Sequence, residues 1–180
     1  METPHGASLA DQLALIPVRT DADVLARVDA IIDPAARRDR TLWLFFLNAD
    51  GTQAKVVMPI DDIPAYPGPD DADGLFEMLA HLFAPDGPGG SLVVTVTRPG
   101  TAGLTDSDRR WAAILRRGAD EAGTPVRMFC LATPDGVRGL GPASGWPAAG
   151  GRRHRQGLMA WGKVNRLAGS YFRLIADRRA

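Results

Sequence analysis

The sequence predicts an α/β domain with a mixed central sheet and packed helices, followed by a basic C-terminal helix. Three observations lead there. Apolar runs of strand length alternate along the chain with segments whose apolar residues recur at helical spacing. Asp50-Gly51 sits between two strand-like runs, the chemistry of a hairpin turn, because glycine accepts a positive φ there. Finally, a formally neutral chain ends in a strongly basic segment.

The elements follow in order. Residues 1–20 hold little beyond the apolar patch Leu13 to Val18 and read as a loose or partly helical lead-in. From Asp21 to Asp33, residues Val24, Leu25, Val28, Ile31 and Ile32 fall at helical spacing, with acids in the first turn and Pro34 beyond the last. Leu42 to Leu47 is an uninterrupted apolar run, the pattern of a strand covered on both faces. After the turn at Asn48 to Gly51, a second strand spans Thr52 to Ile60. Asp61 to Asp73, rich in proline and acids, is a loop with a solvated acidic face. Leu75, Phe76, Leu79, Leu82 and Phe83 mark a helix face ended by Pro85-Asp86-Gly87-Pro88. Ser91 to Thr97 is a β-branched strand, and Thr105 to Ala122 is the clearest helix, with Gly123 placed as its C-cap. Val126 to Thr133 forms the next strand, and Asp135-Gly136 turns it into a short edge strand, Val137 to Leu140. The expected organisation is an α/β domain over 1–140, a linker over 141–152 and a basic helix over 153–180, weakened by Gly157, Gly162 and Gly169.

Composition narrows the function classes. With 45% hydrophobic and 23% charged residues, a chain of 180 residues can build an ordinary core without disulfides or metal. Cys130 is the lone cysteine and lies in an apolar run, so it reads as a small buried hydrophobe, and a reducing, cytoplasmic setting is expected. No apolar stretch approaches the ~18 residues of a membrane span. The preference for arginine over lysine (only Lys55 and Lys163 are lysines) reflects a GC-rich, bacterial type of coding sequence more than function. There is no nucleophile elbow, phosphate-binding loop or dinucleotide fingerprint. His5, His81 and His154 are scattered, without metal-ligand spacing; no catalytic residue, cofactor or metal is assigned.

The best candidate for a ligand loop runs from Thr95 to Asp108, where a strand end meets a helix N-terminus. Arg98, Thr105 and Asp108 are its candidate residues. Arg98 reads either as an anion-binding group or as a surface arginine. Thr105 with Asp108 three residues later has the form of a capping box.

A hairpin, a helix, a strand ending in Val96-Thr97-Arg98-Pro99 and a helix opened by Thr105-x-x-Asp108 together resemble the JAB/MPN metalloprotease-like domain, above all its RadC-type branch. The likeness covers roughly residues 42–140. That family's motif is His-x-His-Pro followed by Ser-x-x-Asp, and the resemblance implies a zinc site built from the two histidines and the aspartate. Aligned on Pro99, the first histidine falls on Val96 and the second on Arg98; Thr105 and Asp108 match the Ser-x-x-Asp pair if this loop is one residue shorter. Valine has no donor atom, and arginine does not deprotonate to bind a metal. The resemblance therefore implies a metal-free relative without the family's catalysis.

The basic segment offers a second candidate. From Gly150 to Ala180 eight basic residues face one acid, a charge of +7 that leaves −7 on residues 1–149. Arg152, Arg153, Arg155, Trp161, Lys163 and Arg166 are the candidate contacts. The helix either docks on its own acidic domain, binds a protein partner or second copy, or meets phosphates of nucleic acid or anionic lipid. The leading expectation is a non-enzymatic interaction or regulatory protein that uses its sheet edge or C-terminal helix. A hydrolase working at the 95–108 loop and a DNA-associated accessory protein are the alternatives.

Overall fold

The structure is a computed structural model that describes residues 9–82 and 90–140. It contains a mixed five-stranded sheet with helices on both faces, the architecture expected from the sequence. Strands β1 (Thr41–Leu47), β2 (Gln53–Asp61), β3 (Ser91–Thr97), β4 (Val126–Thr133) and β5 (Gly136–Gly139) lie in the order β2-β1-β3-β4-β5. Only β3 and β4 run parallel, because the 17-residue helix α4 (Asp106–Ala122) makes the crossover between them. The other neighbours are antiparallel.

Side chains alternate across the sheet and sort into two cores. On one face Leu42, Leu44, Leu92, Val94 and Val96 pack with helix α3 (Asp73–Leu82) and α4 through Leu75, Phe76, Leu79, Trp111 and Leu115. On the other, Phe45, Leu47, Val93 and Cys130 pack against Val24, Val28 and Ile32 of the α2 region (Asp21–Ile31). Each of these large side chains contributes on the order of 1.5–3 kcal/mol by leaving water. Burial pushes the Cys130 thiol up to about 12. A short helix, α1 (Leu9–Ala14), forms the lead-in.

Caps set the helix ends. Thr20 opens α2 and Thr105 opens α4, each with a capping box completed by Asp23 or Asp108. Gly123, at φ 63°, closes α4 in the left-handed conformation that a glycine C-cap provides. The end of α2 is held differently: the buried Arg37 guanidinium donates to the carbonyls of Asp29 and Ile32, where cations suit the negative helix end. Close packing of α3 on α4 depends on Gly118, since a Cβ there would lie 2.6 Å from the Phe76 ring.

The hairpin turn forms at Asn48 to Gly51, with Gly51 at φ 85°. Its register is not the one that a simple turn would give. Leu47 faces Gln53, yet Phe45 faces Val57, so β2 spends three residues where β1 spends one. That irregularity brings Thr41 opposite Asp61 at the far end of the pair.

The loop after β2 is more than a solvated acidic face. The Trp111 indole N–H donates to the Pro64 carbonyl at 2.9 Å, and Ser107 and Arg117 donate to the carbonyls of Ala65 and Pro69. Three side chains of α4 thus tie the loop down. Asp71 closes a local turn by accepting from the Gly68 N–H at 2.8 Å.

Among the described residues no helix is long and apolar enough to cross a membrane. The expected linker and basic helix, the Pro85–Pro88 stop, and His5 and His154 lie outside the described residues.

Candidate functional site

Arg98 and Asp108 meet because the chain turns back on itself over ten residues. Arg98 leaves the carboxyl end of β3 on the face that packs against α4, and Asp108 occupies the first turn of that helix. The result is a two-point ion pair: Arg98 Nε lies 2.7 Å from Asp108 Oδ1, and Nη2 lies 2.8 Å from Oδ2. Both residues are buried, at 3% and 2% exposure.

The remaining guanidinium donors are also spent. Nη1 donates to the carbonyls of Pro99 (2.9 Å) and Thr101 (3.1 Å), and Nη2 to that of Gly103 (2.6 Å). An arginine carries five N–H donors, and these five bonds use them all. Asp108 is equally engaged, since Oδ2 also accepts the Thr105 N–H at 2.8 Å and the Asp108 N–H returns to Thr105 Oγ1 at 3.2 Å. Burial alone would push the Asp108 carboxyl up; the bonds from Arg98 and Thr105, with the Arg98 charge, outweigh it and hold the group below the usual carboxylate range.

This geometry corrects the reading of Arg98 as a surface arginine. A long charged side chain stays buried when every polar atom finds a partner, and the loop carbonyls supply what a surface would have left to water. Arg98 works as a clamp that wraps the 99–103 loop around its own fork. The clamp continues outward: Ala102 donates to Asp135 at 3.3 Å and accepts from Arg138 at 3.0 Å, fastening the loop to the β4–β5 turn. Thr105 and Asp108 form the capping box that their spacing implies. Val96 is buried among apolar side chains on the same face as Arg98.

A second polar cluster lies at the same end of the sheet but on the opposite face. A cleft of about 540 Å³ opens between the 3₁₀ turn Ala36–Arg38, the start of β1 and the end of β2. Asp39, Arg40, Trp43, Asp61 and Asp62 line it, with Thr41 and Ile63. Thr41 Oγ1 donates to Asp61 Oδ1 at 2.9 Å. Thr97 Oγ1 donates to the Asp39 carbonyl at 2.9 Å, anchoring the cleft to β3. Arg40 Nη1 and Trp43 Nε1 are buried and have no acceptor among the described residues. Nothing in the sequence singled these residues out. Trp43 looks like core within its apolar run, and Asp61 and Asp62 merge into an acidic loop. The one signal is a hairpin that closes an Asp-Arg-Thr start against an Asp-Asp end, and the irregular register hides it.

Among the described residues no three His, Cys, Asp or Glu side chains gather closely enough to hold a metal ion. The basic-segment candidates Arg152, Arg153, Arg155, Trp161, Lys163 and Arg166 lie outside the described residues. Compared with known proteins, the chain matches no protein-family model, and no curated protein matches it.

Proposed function

We propose that this chain is a non-enzymatic interaction or regulatory protein, a metal-free JAB-like module that binds a protein partner. The observation that supports it most is the saturation of the Arg98 fork. At the place where the resemblance puts a second zinc-binding histidine, this chain carries a permanent cation already bonded to the carboxylate that would be the third ligand. The Asp108 carboxylate has its counter-ion within the chain, so it has no call on a metal. With its ion pair buried and fully bonded, the loop is a scaffold rather than a place where water or substrate is activated. The order hairpin, helix, strand, capped helix, strand is in keeping with the JAB-like reading. A partner surface is on offer at β2, nine residues long and outermost in the described sheet, since an outer strand presents backbone groups for pairing.

Zinc calorimetry on the full chain and on the Val96→His/Arg98→His variant tests this reading. The wild type is expected to take up no stoichiometric zinc and to cleave neither peptide nor isopeptide bonds. The double variant, with far-UV circular dichroism confirming its fold, is expected to bind one zinc through the new histidines and Asp108. Zinc uptake by the wild type with hydrolysis lost in Asp108→Ala would overturn the non-enzymatic reading. A folded double variant without zinc affinity would remove the JAB-like one.

A further inference from the structure

We propose that the chain's own basic segment, residues 158–175, packs in cis along β2 on the α2 face of the sheet. The proposal is independent of the JAB-like reading, and it leaves the outer backbone edge of β2 open to a partner. Cover on the two faces is uneven. On one face α3 and α4 lie together over the larger core. On the other, α2 packs against β4 and β5 and the Ala36–Arg38 turn against β3 and β4, while the helix that meets β2 is the six-residue α1.

The side chains left open along β2 are apolar. Leu15 and Ile16 are 74% and 58% exposed. Their backbone is pinned: Arg27 Nη2 donates to the Ile16 carbonyl at 2.7 Å and Arg27 Nη1 to Gln53 Oε1 at 3.3 Å, which fixes this corner at the start of β2. Val18 N–H donates to the Gly51 carbonyl at 2.8 Å and ties it to the hairpin. Farther along the strand, half-buried Val57 lies opposite Phe45, and exposed Pro59 lies opposite half-buried Trp43. Opposed residues of an antiparallel pair share a face, so Val57, Pro59 and Trp43 continue the strip. An apolar strip held open on a firm backbone has the character of a docking surface.

Three properties of the chain choose the occupant. The first is length. The nine residues of β2 extend over about 30 Å at ~3.3 Å per residue. In the basic segment Leu158, Trp161, Val164, Tyr171, Phe172 and Ile175 recur at helical spacing over 18 residues, about 27 Å at ~1.5 Å per residue. The second is reach. Residues 141–157 span up to about 55 Å when extended, whereas β5 and β2 stand about 20 Å apart across four strand spacings. The third is charge. Residues 150–180 carry +7 and residues 1–149 carry −7, so the segment is drawn to the body it belongs to. Arginines flank its apolar residues at both ends (Arg152, Arg153 and Arg155, then Arg178 and Arg179), and exposed aspartates stand at both ends of β2, Asp50 at one and Asp61 and Asp62 at the other.

Hydroxyl-radical footprinting of the full chain, read by mass spectrometry, reports which side chains meet water. Tyr66, 70% exposed on the loop that α4 ties down, is the internal reference, and Trp111, 2% exposed, must stay protected as the sign of a folded domain. Relative to Tyr66, oxidation of Leu15, Ile16 and Trp43 is expected to rise several-fold in Trp161→Asp/Phe172→Asp, whose substitutions lie outside the α/β domain. The wild-type protection is expected to survive dilution of the chain to nanomolar concentration. Equal labelling of wild type and variant would overturn the proposal. So would protection that disappears on dilution, the mark of a second copy rather than of the chain's own segment.

Discussion

Arg98 and Arg40 stand at the same end of the sheet, on opposite faces, and meet opposite fates. Arg98 has five acceptors for five donors and is nearly inaccessible to water. Arg40 lies beside three aspartates without pairing to any of them, and its Nη1 is buried without an acceptor among the described residues. The difference lies in the geometry of the chain near each residue. The loop after Arg98 curls its carbonyls back around the guanidinium, whereas the chain around Arg40 enters and leaves a hairpin strand and offers none. A buried charge stabilises only when its surroundings are built for it.

The comparison sets an order of mutational effects. Arg98→Ala should cost the most, about 3–5 kcal/mol, because it strands a buried carboxylate and frees the loop. Urea denaturation would measure it, and a loss below about 1 kcal/mol would make the clamp a bystander. The effect should depend on pH. With its folded pKa held below the unfolded value of about 3.9, Asp108 contributes stability that is complete above that value and is lost as pH falls through the depressed one. In Arg98→Ala only the Thr105 bonds still oppose burial, so the depression of the Asp108 carboxyl shrinks or is lost. The two stability curves should therefore converge in acid and be widest apart near neutrality; parallel curves would rule out this coupling.

Thr105→Ala removes one half of the capping box and leaves the ion pair, so about 1 kcal/mol is expected, read as a fall in thermal midpoint. Arg40→Met keeps the aliphatic stem and deletes the unpaired donors; its stability should stay within about 1 kcal/mol of wild type, on either side. A large loss at Arg40 would erase the contrast between the two arginines. It would mean that Arg40 has a partner within the full chain.

Much of the fold was legible because local chemistry agreed with tertiary structure. Strands β3 and β4 span the expected residues, and α4 carries both of its expected caps. Arg98, Thr105 and Asp108 could be grouped from spacing, since they lie close in sequence. What could not be read was the fate of the Arg98 side chain. Its carbonyl partners depend on loop conformation, to which side-chain patterns are blind. The cleft was less legible still. Arg40, Trp43 and Asp62 come together through a hairpin whose extra β2 residues shift the pairing, and a single apolar run gave no reason to separate Trp43 from its neighbours.

Cys130 gives the molecule an internal clock. It is the only thiol in the chain, lies 1% exposed on β4 and is pushed up to about 12. At pH 8 a thiol raised so far above its ordinary value stays protonated, and alkylating reagents attack the thiolate. Labelling must then wait until the sheet parts and the thiol returns to ordinary acidity. The rate at which the native protein consumes a thiol reagent would therefore count the openings of its central strands, with no probe added to the sequence.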